Sequence, residues 1–315
     1  MPPPTTSCRC IVAWSVSPSS VIARSERAVS TEEFGPIVSV EWLAAHLDDA
    51  DLVVVDVRWS LDAGPKRADF ERGHIASAVF ADLDVDLSSP ASTDDGRHPL
   101  PTAASFADAM GRLGISDNTK VVAYDDAGGL IASRLWWMLD ALGRSAAVLD
   151  GGFAAWEGPT ADGPASPAPA VFSLVEWPAD CVITKQALAE SLDGALTILD
   201  ARPPDRFAKG SAVDPRPGHV PGARNAPAGA NVADGHFRSD AELAEHYGAL
   251  GADGDNVVVY CGSGVTACAD LLARRTAGLP DARLYVGSWS QWGADDTLPA
   301  ETTPPTPHSR RSTLG

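Results

Sequence analysis

Short apolar runs without polar alternation punctuate the chain, and each of them occurs twice. Leu52-Val-Val-Val-Asp-Val-Arg58 returns as Leu196-Thr-Ile-Leu-Asp-Ala-Arg202, and Val121-Val-Ala-Tyr124 returns as Val257-Val-Val-Tyr260. Runs of this kind, rich in β-branched residues, predict strands buried on both faces of a parallel sheet. Helix-like stretches separate them. Ser39 to Leu47 offers a cap at Ser39 with Trp42, Leu43 and Leu47 on one side, and Thr184 to Leu192 repeats that layout with Leu188 and Leu192. Two further landmarks recur in the same order: Arg72-Gly-His-Ile75 as Pro217-Gly-His-Val220, and Asp150-Gly-Gly-Phe-Ala-Ala-Trp156 as Val286-Gly-Ser-Trp-Ser-Gln-Trp292. Four landmarks in one order, about 140 residues apart, define an internal repeat.

The repeat predicts an α/β protein of two tandem domains, each a mainly parallel sheet flanked by helices, at residues 36–157 and 181–300. A chain of 315 residues is long enough for each unit to bury a core of its own. Between them, 158–180 contains Gly158, Pro159, Gly163, Pro164, Pro167, Pro169 and Pro178, a composition that sustains neither helix nor central strand and predicts a linker. Residues 1–35, rich in Ser and Pro with broken apolar stretches, predict a disordered extension or an over-long start rather than a targeting segment. Residues 301–315 predict a disordered tail.

Composition narrows the function. With 24 Lys and Arg against 42 Asp and Glu, the formal charge of −18 repels nucleic acid and anionic lipid alike, so neither is expected as a partner. Clustered arginines become informative, because such a chain must build a local positive pocket to hold an anion. No apolar run reaches the length of roughly 18 residues that spans a bilayer. The five cysteines, Cys8, Cys10, Cys181, Cys261 and Cys268, form neither a disulfide framework nor a four-ligand metal site, which points to the cytoplasm and to no metal or other cofactor.

The most specific stretch is Val257-Val-Val-Tyr-Cys261-Gly-Ser-Gly-Val-Thr-Ala-Cys268, followed by the helical segment Ala269 to Ala277. Strand, glycine-containing loop and helix together make an anion cradle, in which backbone N–H groups curl around whatever sits on Cys261. Such a cradle stabilises a thiolate or a persulfide anion. The first repeat carries a degenerate copy, Val121-Val-Ala-Tyr-Asp125-Asp-Ala-Gly-Gly-Leu130. An aspartate cannot form a persulfide, so the first domain is expected to be catalytically silent while still contributing a wall of the site.

The loop, the two Gly-His repeats and the Gly287-Ser-Trp-Ser-Gln-Trp292 segment together resemble the tandem-domain rhodanese superfamily, specifically its 3-mercaptopyruvate sulfurtransferase branch, over about residues 36–300. The resemblance implies two rhodanese-like domains and a reaction in which Cys261 takes sulfane sulfur from a donor, holds it as a persulfide and passes it to an acceptor such as a thiol, thioredoxin or cyanide. It places Gly262, Gly264, Val265 and Thr266 around the bound donor, and it maps the arginines that hold the donor carboxylate to Arg206 and Arg216. One extra residue separates these two arginines relative to the family spacing. The resemblance further implies a relay from Ser263 to His98 and Asp84 of the first domain. Thiosulfate-specific relatives carry basic residues after the cysteine, whereas Gly262 and Ser263 are neutral and favour 3-mercaptopyruvate.

Thiosulfate sulfurtransferase is the nearest alternative, with the same nucleophile. A non-enzymatic interaction module is the alternative of another class, and it describes the first domain better than the whole chain. A cysteine phosphatase is disfavoured because its loop closes with an arginine where this chain has Ala267. Arg58 and Arg202 each follow a strand-end aspartate and are expected to form structural ion pairs. His74 and His219 share a repeat position and are expected to fix a turn. Trp136, Trp137, Trp156, Trp289 and Trp292 are expected in the core, and Cys268 is expected to be a small buried residue.

Overall fold

The computed structural model describes residues 33–302. The bulk of the expected disordered extension and tail therefore lies outside the described residues. At the inner edges of those stretches, Phe34 stands 5.1 Å from the ring of Trp42, and Glu301 pairs with His219 in an isolated antiparallel bridge.

Both repeats fold as parallel sheets. The first has the order Ile37–Val38, Ala146–Leu149, Lys120–Tyr124, Leu52–Asp56, Val79–Phe80, and the second Arg224–Asn225, Thr197–Asp200, Val257–Tyr260, Arg283–Leu284. Every pairing within them is parallel. Val182 bridges Leu284 in parallel, where Ile37–Val38 sits in the first sheet. The repeated helix starts behave alike, Ser39 accepting from the Trp42 N–H and Thr184 from the Ala187 N–H, each at 3.1 Å.

The remaining landmarks brace the strand ends in the same way in each domain. Arg58 binds the Asp56 carboxylate and the Gly73 carbonyl; Arg202 binds Asp200 and the Gly218 carbonyl. Both pairs are buried, and their forked geometry ties the strand to the Gly-His turn. His74 stacks on Phe70 and bonds its carbonyl, as His219 does with Phe207. Tyr124 and Tyr260 take the N–H of Ile75 and Val220 on their hydroxyls.

Each half buries a cluster of its own, and a third, continuous cluster joins Leu135, Trp136 and Leu139 of the first to Cys268, Leu271 and Leu272 of the second. The cause is that Ser133–Ala141 and Ala267–Thr276 are buried on nearly every face, each lying between its own sheet and its counterpart. The expected linker joins in. Thr160–Ala161 forms a short antiparallel pairing with His74–Ile75, Phe172 is buried, and Trp177 packs against Phe106 and Trp137. Among the described residues, no helix is long and apolar enough to cross a membrane.

Candidate active site

The fully buried strand Val257–Tyr260 delivers Cys261 to the sheet's C-terminal edge, the usual position of function in a parallel sheet. The chain then turns through Gly264 at φ +78°, where any Cβ would stand 2.5 Å from the Val286 carbonyl oxygen. Only glycine fits. The turn aims the Gly264 N–H at Cys261 Sγ, 3.1 Å away, and the helix begins at Ala267. From outside, the repeated Gly-Ser-Trp segment holds the loop. Ser288 Oγ accepts the Cys261 N–H, while the N–H groups of Trp289 and Ser290 donate to the carbonyls of Cys261 and Gly262. Cys261 is 2% exposed and opens on a cavity of about 320 Å³ whose walls include Gly262, Ser263, Val265 and Thr266 from the loop and Trp59, Lys66, Arg97, Asp126 and Ile131 from the first domain.

The structure brings Ser263, His98 and Asp84 into line. His98 Nδ1 lies 2.8 Å from Ser263 Oγ, and its Nε2 lies 3.3 Å from Asp84 Oδ1. With a carboxylate facing Nε2, that nitrogen carries the proton and Nδ1 accepts from the serine hydroxyl. Burial, with the guanidinium groups of Arg134 and Arg97, holds the imidazole pKa down to about 3, so it rests neutral. Trp59 donates to the same Asp84 oxygen and sets its ring edge-on to His98. Partial burial and the neighbouring Asp82 push the Asp84 carboxyl up.

Arg206 lines the cavity, held by a two-pronged contact with Asp214. Arg216 does not. Its guanidinium donates to the carbonyls of Asp295 and Leu298, so it fastens the C-terminal segment instead of reaching the donor pocket. Two arginines that the sequence reading passed over stand here. Arg97, the residue before His98, lines the cavity. Arg134, fully buried, donates to the carbonyls of Gly264 and His98 and thereby ties the cysteine loop to the relay segment. Its signal was a lone charge immediately before the apolar run Leu135-Trp-Trp-Met-Leu139. Cys268 is buried with its Sγ on the Gly264 carbonyl, and burial pushes its thiol up to about 12. The five tryptophans expected in the core are all buried, and none lines this cavity.

The degenerate loop of the first domain is filled by its own aspartate. Asp125 is fully buried, one carboxylate oxygen accepting the N–H groups of Ala127 and Gly129, the other those of Ile131 and Ala132, all at 2.7–2.8 Å. Burial pushes the carboxyl up and the four amides oppose it. Phe237, from the second domain, sits against Gly129 and closes this loop over. Asp125→Ala orphans four amides at once. Because each orphaned buried donor costs ~1–3 kcal/mol, the variant is expected to lose at least about 3 kcal/mol of stability in a denaturant titration. Asp125→Asn, keeping one acceptor oxygen, is expected to lose less.

The family model for the rhodanese-like domain matches the chain twice, at residues 39–159 and 184–295. A protein of Pseudomonas aeruginosa named "Probable 3-mercaptopyruvate sulfurtransferase" is 40% identical over 278 residues, covering 84% of this chain and 98% of its own length. A thiosulfate sulfurtransferase of Gallus gallus is 36% identical over 273 residues, covering 81% and 92%. Among solved structures, a 3-mercaptopyruvate sulfurtransferase from Leishmania major superposes with a TM-score of 0.74 at 32% identity, covering 84% of this chain and 75% of that one.

Proposed function

The chain belongs to the rhodanese-like family through both of its domains and is a sulfurtransferase, and from that premise we propose that it takes sulfur from 3-mercaptopyruvate onto Cys261 and passes it to a thiol, a thioredoxin or cyanide. The observation that carries the donor reading is the line Asp84–His98–Ser263, which ends at the wall of the Cys261 cavity. The net transfer is Cys–S⁻ + HS–CH₂–CO–COO⁻ → Cys–S–S⁻ + CH₃–CO–COO⁻. The Cys261 sulfur attacks the donor sulfur, the C–S bond breaks toward the carbonyl as an enolate, and one proton moves from the donor's sulfur to the carbon it leaves. A neutral His98, reached through Ser263, is placed to relay that proton, with Asp84 holding its ring and tautomer.

The silent loop supports the persulfide step by analogy of shape. An Asp125 carboxylate oxygen stands two bonds beyond Cβ, as the outer sulfur of a Cys261 persulfide would, and it is already held by backbone amides. The same cradle on Cys261 is suited to an anion of that reach. Three free thiols among the described residues, Cys181, Cys261 and Cys268, support a reducing compartment such as the cytoplasm.

Intact-mass spectrometry tests the reading. Brief incubation with 3-mercaptopyruvate is expected to add one sulfur atom to the wild-type chain, removable by a thiol reductant and mapping to Cys261. Thiosulfate is expected to load it more slowly. Loading by thiosulfate alone would overturn the donor assignment and leave the cysteine chemistry standing; loading by neither donor would overturn both.

A further inference from the structure

The repeat contains its own control for the residues that hold the nucleophile. Gly151-Gly152-Phe153 and Gly287-Ser288-Trp289 take the same place, and each anchors the residue that follows an inner strand. The Phe153 N–H donates to the Asp125 carbonyl at 2.8 Å, and the Trp289 N–H to the Cys261 carbonyl at 3.0 Å. The middle residue of each segment stands in the left-handed region, Gly152 at φ +57° and Ser288 at φ +53°. Glycine takes that conformation freely and serine does not. Ser77 and Asp234, the other non-glycine residues with positive φ among the described residues, lie in exposed turns, whereas Ser288 is fully buried. The first domain shows that glycine suffices for the fold at this place. It also shows that glycine is all its loop admits, since a Cβ on Gly152 would stand 2.4 Å from the Asp125 carbonyl oxygen. Only the domain that bears the cysteine sets a hydroxyl here, against the local preference. That hydroxyl is committed on both sides: it donates to the Tyr285 carbonyl at 2.9 Å, which leaves its oxygen to accept the Cys261 N–H at 3.1 Å. A buried left-handed residue other than glycine persists where its side chain is needed.

We propose that Ser288 is a positioning residue for the reaction, its hydroxyl fixing the backbone of Cys261 so that Sγ meets the Gly264 N–H at the edge of the cavity. This rests on the donor-to-Cys261 reaction proposed above. With the Cys261 N–H on Ser288 and the Cys261 carbonyl on Trp289, both peptide groups that flank the cysteine Cα are pinned by consecutive residues. Only rotation about Cα–Cβ is then left to the thiol. Asp125 needs no such tether, because four backbone amides already hold its carboxylate. A thiol that must leave its resting contact, take up a second sulfur and give it away has no equivalent grip on its own side chain, and its backbone has to be held instead.

Single-turnover loading of full-length Ser288→Gly and Ser288→Ala tests this, with 3-mercaptopyruvate as donor, or thiosulfate should the wild type accept only that. Loading is followed by quenched intact-mass spectrometry, beside melting curves. Ser288→Gly relaxes the backbone and orphans one N–H, two opposed effects, so its Tm is expected to stay near the wild-type value. Ser288→Ala keeps the left-handed φ without the hydroxyl and should melt roughly 2–4 °C below the glycine variant. Both variants should load Cys261 roughly ten- to a hundredfold more slowly at saturating donor, as a misplaced nucleophile does. The donor concentration for half-maximal rate should hardly move, because the groups that bind the donor are untouched. Equal losses of rate from variants of unequal stability are the result that a merely structural serine would not give. Wild-type loading by either variant would overturn the proposal, and so would a loss that follows the melting points and falls mainly on alanine. If neither donor loads the wild-type chain, the sulfur-transfer reading fails by itself, and hydrogen exchange at the Cys261 amide decides the positioning. Faster exchange in both variants supports it, and unchanged exchange overturns it.

Discussion

Serine in place of Cys261 is expected to leave a folded protein that transfers sulfur from no donor. The hydroxyl is similar in size, stays within reach of the Gly264 N–H that now meets Sγ, and keeps the Cys261 N–H on Ser288 Oγ. The melting curve should therefore hardly move. What serine cannot do is carry a second sulfur atom, since an oxygen–sulfur analogue of the persulfide does not form and return under these conditions. Cys268 offers no substitute, because its thiol is buried in the shared core, bonded to the Gly264 carbonyl and pushed up to about 12. Assays with 3-mercaptopyruvate and with thiosulfate should both fall to the blank. Turnover well above it would remove Cys261 from the chemistry. Cys268→Ser should keep most of the activity; an equal loss there would require a dithiol route.

The elements that the sequence made legible are those whose cause is local or repeated. Apolar runs with β-branched residues became central strands, Ser39 and Thr184 became caps, and the paired Gly-His turns, arginines and tyrosines took equivalent places in the two sheets. The cysteine loop was legible because Gly264 alone satisfies a turn that tight. Less legible was anything decided by how the domains meet. Arg216 lies ten residues beyond Arg206 along the chain, yet the turn at Gly210, φ +68°, and the carbonyls of Asp295 and Leu298 take it out of the pocket. Arg97 reaches the pocket because Ser290 and Val213, both from the other domain, fix its backbone and its guanidinium. The shared core was hidden for the same reason, since in the two helices that build it even the charged residues Arg134, Asp270 and Arg274 are buried, so polarity does not tell an interface from an interior. The relay was found only through family resemblance; nothing in Arg97-His-Pro-Leu-Pro101 taken alone distinguishes His98 from an exposed loop histidine.

His98→Ala is expected to separate the two sulfur donors. With 3-mercaptopyruvate one proton must travel from sulfur to carbon, and the neutral imidazole 2.8 Å from Ser263 Oγ is the group suited to carry it. Its loss should lower kcat by the ~10²–10⁴-fold typical of missing acid–base assistance. Thiosulfate transfers sulfur as Cys–S⁻ + S–SO₃²⁻ → Cys–S–S⁻ + SO₃²⁻, with no proton to move and no carbonyl to polarise. Activity with thiosulfate, however small, should survive in the variant and rise as a share of the total. The imidazole also packs edge-on to Trp59 beneath the domain interface, so a melting curve on the same preparation is needed. Equal losses with both donors would mean that His98 holds the cavity wall together and does not move a proton. Unchanged rates with both would detach the Ser263–His98–Asp84 line from the reaction. A selective loss is the outcome that makes the silent first domain a working part of the active site, because the proton that distinguishes the two donors would then pass through a residue that only this domain supplies.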